Sequence, residues 1–144
     1  MKRILCLISG LALTLAADTP VKMKDLPPAV QKSIQEQTKG LELRGLAKEV
    51  ENGQTFYEAE TRVNGHSKDF LFDTGGKLVE VEEEVAIDTI PAAARAAIEK
   101  YAAGGKITKT ESVTKDGVVS YEAAVTKGKK KSEVAVSADG VVKK

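Results

Sequence analysis

The chain has 144 residues, room for one ordinary domain or two very small ones. Lys and Arg number 22 against 21 Asp and Glu, a net charge of +1, which excludes a nucleic-acid binder driven by basic excess. One Cys and one His exclude a Cys/His metal site and a disulfide framework, while 42% hydrophobic and 30% charged residues exclude a disordered polymer.

Met1-Lys2-Arg3 is a basic start, and Ile4 to Leu15 is an apolar run broken only by Ser9, Gly10 and Thr14. Thr14-Leu15-Ala16-Ala17 supplies small residues before the first acid, Asp18. That layout predicts a cleavable secretory signal over residues 1–17. A membrane-spanning helix needs about 20 apolar residues, and Asp18 with Lys22 closes the run earlier. The expected location is therefore periplasmic or secreted, with no stable membrane insertion after cleavage. Cys6 leaves with the signal, so the remaining chain folds without a thiol.

The remainder matches itself when slid by 64 residues. Pro27 falls on Pro91, Ile34 on Ile98, Gly53 on Gly117, Tyr57-Glu58-Ala59 on Tyr121-Glu122-Ala123 and Gly76 on Gly140. An internal period of this length predicts one supersecondary unit used twice, over residues 18–86 and 87–144. The expected fold is α+β: two tandem repeats, each a helix followed by a four-stranded antiparallel meander, with the helices on one face of the sheet or sheets.

In chain order, each unit opens on Leu26-Pro27 or Ile90-Pro91, with Asp25 and Thr89 as candidate N-caps. Ala29, Val30 and Ile34, then Ala94, Ala97, Ile98 and Tyr101, recur at helical spacing. Gly40 and Gly104-Gly105 mark the helix ends. Strands are expected at 41–50 and 106–114, each followed by Asn52-Gly53 or Asp116-Gly117, a strong hairpin signal. The next strands, 55–63 and 119–126, alternate. Tyr57, Ala59, Thr61 and Val63 share one face, and Phe56, Glu58, Glu60 and Arg62 share the other. Phe70 and Phe72, or Val134 and Val136, lie in the third strands. A fourth is expected at 77–82 and 141–144, the second of these incomplete and frayed. Glu80 to Glu84 holds four acids in five residues and is expected to be a solvated strand end and linker.

Three features invite a chemical test. Asp73-Thr74-Gly75 has the spelling of an aspartic-protease motif, but that mechanism needs two carboxylates sharing a proton. The corresponding triplet is Ser137-Ala138-Asp139, and Asp73 fits a turn between strands. His66 follows Asn64-Gly65 in an expected turn, with no second imidazole or thiol to share a metal. Lys127-Gly128-Lys129-Lys130-Lys131 is a basic hairpin turn without interleaved aromatics, a poor platform for nucleic acid. No constellation of nucleophile and base emerges, so the chain is not expected to be an enzyme or to carry a cofactor or metal.

Leu26-Pro27-x-Ala29-Val30, then Tyr57-Glu58-Ala59, then Phe70-x-Phe72-Asp73-x-x-Gly76-x-Leu78 resembles the PepSY-like domains. These are grouped with the β-lactamase-inhibitor-protein fold. The resemblance covers residues 25–144. It departs in the second unit, where Ser137 stands for Asp73 and valines stand for both Phe. It implies no catalytic residues. It implies instead a secreted or periplasmic module that binds, inhibits or regulates an extracytoplasmic protease or another protein or peptide. Phe56, Glu58, Glu60 and Arg62, with Glu122 in the second unit, are the expected binding residues on the open sheet face. A rival expectation is a structural or self-associating cell-envelope protein. Residues 18–86 hold 9 basic and 14 acidic groups and residues 87–144 hold 11 and 7, so the two carry opposite net charges of −5 and +4.

Overall fold

The computed structural model describes residues 18–143. The expected signal segment and Cys6 lie outside them. The strands are β1 (Thr19–Pro20), β2 (Glu42–Glu51), β3 (Gln54–Val63), β4 (His66–Asp73), β5 (Leu78–Glu84), β6 (Lys106–Lys115), β7 (Val118–Lys127) and β8 (Lys130–Ser137). The helices are α1 (Pro28–Gln37) and α2 (Ala92–Ala102). No helix among the described residues is long and apolar enough to cross a membrane.

The expected fold class needs correction. The eight strands form a single sheet in chain order, and the structure is mostly sheet with two short α-helices. It is not a pair of tandem helix-plus-four-strand repeats. Two local departures show why. Thr19–Pro20 adds a strand before α1, paired with Lys48 and Ala47 of β2. At the other end, the strand expected at 141–144 is shortened to a bridge between Val136 and Val142, flanked by the Ser137 N–H donating to the Val141 carbonyl and the Lys143 N–H donating to the Ala135 carbonyl. Sequence self-similarity records shared turns and core positions, whereas strand count and sheet continuity depend on pairing partners elsewhere in the chain.

Chain contacts divide the fold into a compact unit ending at Glu83 and another beginning at Glu84. In the first, Val30 and Ile34 of α1 pack with Leu26, Ala59, Phe70 and Phe72. In the second, Ala94 and Ile98 of α2 pack with Ile90, Ala123, Val134 and Val136. Tyr57 and Tyr121 are half-buried, each against its own cluster.

Local chemistry explains most boundaries. Asn52, Asn64 and Asp116 adopt positive φ and precede glycines that do the same, as a two-residue hairpin turn requires. The helix starts differ from expectation. Pro27 and Pro91 occupy the N-cap positions without a side-chain cap. Asp25 and Thr89 instead end short 3-10 turns, and Thr89 Oγ1 donates to the Ala86 carbonyl. The residue before a proline avoids helical backbone, so Leu26 and Ile90 are extended and hold the earlier side chains away from the helix.

Gly76 sits where the β4–β5 turn meets α1. Its φ is +82°, and a Cβ there would lie 2.6 Å from the Ala29 carbonyl oxygen. Ser33 Oγ donates to the Gly76 carbonyl at 2.6 Å, clasping helix to turn.

Candidate functional site

Alternation along β3 puts Tyr57 and Ala59 on the α1 side and Phe56, Glu58, Glu60 and Arg62 on the opposite face, as expected. Depth differs from expectation. Glu58 is 0% exposed, whereas Phe56, Glu60 and Arg62 are half-buried. Glu58 is flanked across the sheet by Ala47 of β2 and Leu71 of β4, both buried. Alternation settles which side a residue faces but carries no information about how deeply its neighbours enclose it.

The same face collects carboxylates that were not singled out from the sequence. Glu49 of β2, Asp69 of β4, and Glu80 and Glu82 of β5 are all buried. Glu60 pairs directly with Asp69, and Asp69 with Glu82, so three acids form one row across three strands. Leu71 pairs with Glu80 in the next row, and Phe56 lies between Glu49 and Asp73. Glu80 and Glu82 are thus strand residues of β5 with their carboxylates enclosed. They are not part of a solvated linker. The signal was present as acid–Val–acid alternation at 80–82, which reads as one acidic face once the segment is taken as a strand.

Asp69 Oδ1 accepts the Thr61 backbone N–H at 3.0 Å, which fixes that carboxylate against β3. A bulge between Leu43 and Gly45 brings Gly45 opposite Glu60. A Cβ at Gly45 would lie 3.0 Å from Glu60 Oε2, so the missing side chain is the space the carboxylate uses. Arg62 turns to the β3–β4 turn, its Nη1 donating to the Gly65 carbonyl at 2.9 Å. It therefore sits at the end of the face.

One oxygen each from Asp18, Glu49 and Glu58 lies within 4.8 Å of the others. An all-carboxylate set of this kind suits a hard cation better than zinc. In the second unit, Glu122 is half-buried and pairs with Glu111 on one side and Ala135 on the other. Glu111 is engaged by Lys109 at 2.6 Å.

The other features singled out from the sequence lie outside this acidic row. Asp73 Oδ1 accepts the backbone N–H groups of Gly75 and Lys77, each at 2.9 Å, so this carboxylate builds the β4–β5 turn. His66 begins β4, exposed and in register with Val63. Lys127 pairs with Lys130 across the β7–β8 turn, and Lys127 Nζ donates to the Ala103 carbonyl at 2.9 Å.

No family model matches the chain, and no curated protein matches it. Solved structures do. A DUF2874 family protein of Bacteroides ovatus superposes with a TM-score of 0.63 at 18% identity, over 83% of this chain and 85% of its own. A Bacteroides eggerthii protein assigned provisionally to the periplasm gives 0.66 at 19% identity, over 81% and 85%. A BLIP-like protein of Bacteroides fragilis gives 0.57 at 17% identity, over 81% and 82%. At these identities the likeness is one of architecture, and the chain is accordingly a protein of BLIP-like fold.

Proposed function

We propose that this chain is an exported PepSY-like binding module that regulates or inhibits an extracytoplasmic protease or another protein, and that it performs no catalysis itself. The binding surface is the sheet face turned away from α1, and the partner presents Lys or Arg to it. The observation that carries this proposal is the row Glu60–Asp69–Glu82 beside Glu58, Leu71 and Phe56. Like charges directly opposite one another destabilise a sheet. A face serving solubility alone would intersperse both signs. A cationic surface is the charge complement of such a row, and Phe56 supplies an aromatic anchor beside it. Export is supported by the basic start, apolar run and small residues of positions 1–17. The BLIP-like architecture supports a binding role without naming a target.

The test is affinity capture from the extracytoplasmic fraction, with the wild-type chain and the double variant Phe56→Ala/Glu60→Ala as baits. The wild type is expected to retain a partner whose capture added salt weakens, because the encounter with a cationic surface is steered by charge and such fields are screened over about 10 Å at 0.1 M salt. The double variant is expected to keep its far-UV spectrum and lose that partner. A variant that keeps the partner would refute the proposal. So would a wild type that retains only copies of itself in a salt-sensitive oligomer, the behaviour of a self-associating envelope protein.

A further inference from the structure

The second unit carries a separate cationic end. Lys127 and Lys130 pair across the β7–β8 turn, Lys131 pairs with Thr126, and Thr126 pairs with Lys106 at the start of β6. Lys127 Nζ reaches the Ala103 carbonyl, so the hairpin tip stands at the C-terminal end of α2. Lys100 occupies the last turn of that helix. Lys129 completes the set. No acid lies within residues 100–109 or 126–132. Of the acids flanking these stretches, Glu99 lies by Arg95 and Glu111 by Lys109, while Glu133 follows Ser132 on β8, half-buried and in register with Ala124.

Two further observations bear on what such an end would meet. Tyr101, on α2 beside Lys100, is 44% exposed although nearly all other aromatic side chains of the described residues are enclosed or half-enclosed. Gly128 at the tip has nothing within 4 Å of where a Cβ would stand, and Lys127, Lys129, Lys130 and Lys131 around it are exposed. The charges of this end are all lysine ammonium groups, point charges on flexible stems that suit many phosphates loosely, in place of the planar fork that reads one anion. A tyrosine ring, apolar with a polar tip, suits the level of lipid headgroups.

We propose that Lys100, Lys106, Lys127, Lys129, Lys130 and Lys131, with Tyr101, form a surface that adsorbs the protein to membranes rich in anionic phospholipid. Adsorption is electrostatic and reversible, and needs no apolar segment. The local field decides it despite the small net charge of the whole chain, because charges farther away than about 10 Å are largely screened at 0.1 M salt.

Vesicle co-sedimentation tests this, with protein purified from the extracytoplasmic fraction. The vesicles are phosphatidylcholine alone, or phosphatidylcholine with phosphatidylglycerol. Binding is expected only with phosphatidylglycerol and is expected to fall steeply with salt. Each lysine near an anionic surface contributes roughly fivefold in partitioning. The variant Lys129→Ala/Lys130→Ala/Lys131→Ala is therefore expected to bind about a hundredfold more weakly. Replacing the same three by Arg is expected to preserve binding, and Tyr101→Ala to weaken it. All three lysines are exposed, and thermal melting of each variant confirms that the fold is kept. Equal binding to neutral vesicles would overturn the proposal, as would an alanine variant that binds like wild type. Retention on heparin without any binding to phosphatidylglycerol vesicles would also overturn it, in favour of a soluble polyanion.

Discussion

Replacing Phe72 by alanine is expected to lower the unfolding free energy by about 3–5 kcal/mol, the usual result of emptying an aromatic site in a core. Phe72 is 0% exposed and lies among Val30, Ile34, Ala59 and Phe70. It pairs with Tyr57 on β3 and Leu78 on β5, so its ring is enclosed on both flanks as well as by α1. Aromatics are only 4% of the chain, which leaves few large side chains able to collapse into the space. Domains of this kind are stable by about 5–15 kcal/mol, so the loss would be a large part of the total. Urea denaturation followed by circular dichroism measures it. Phe56→Ala is the control, since Phe56 lies on the opposite face and is only half-buried. It is expected to cost about 1 kcal/mol. Equal losses at both positions would mean that the faces of β3 and β4 are assigned the wrong way round.

Gly76→Ala is expected to cost about 2–5 kcal/mol, from about 1–2 for a left-handed backbone and about 1–3 for overpacking. The collision is with backbone, the Ala29 carbonyl oxygen 2.6 Å from the added carbon, and backbone cannot swing aside as a flexible side chain can. Either α1 lifts from the sheet or the β4–β5 turn opens, and either movement breaks the Ser33–Gly76 hydrogen bond. Gly53 supplies the comparison. Its φ of +78° is nearly the same, but nothing stands within 4 Å of its missing Cβ. Gly53→Ala is therefore expected to cost only the backbone part, about 1–2 kcal/mol. Thermal melts of the two variants side by side separate conformation from contact. Identical melting temperatures would show that the close approach at Gly76 carries no energy.

The difference between these two glycines also shows what could be seen in the sequence. Asn52-Gly53 announces its turn through residues next to one another, because the positive φ of Asn52 and Gly53 is a local property. The helical stretches at Val30–Ile34 and Ala94–Ile98 were legible for the same reason, through periodic spacing. Asp25 and Thr89 were misplaced as caps because the Leu-Pro and Ile-Pro steps after them displace the helix start. The union of the strands into one sheet was not legible, since no run of residues encodes its distant pairing partner. Of the candidate site, the facing of Phe56, Glu58 and Glu60 could be read from period-two alternation. The acidic row could not be read from β3 alone, because Asp69 and Glu82 join Glu60 only through register. Glu80 and Glu82 were obscured by their own neighbours, Glu83 and Glu84, which made the segment look like a charged tail of a strand.

The open surroundings of Gly53, Gly65 and Gly117 have an evolutionary consequence. Lengthening a flexible connection adds only about 0.6 kcal/mol for each doubling. The β2–β3, β3–β4 and β6–β7 tips are therefore the places where descendants of this chain can accept insertions, tags or whole grafted modules. The β4–β5 turn, seated on the first helix, has no such freedom, and its length is expected to stay constant wherever the architecture persists.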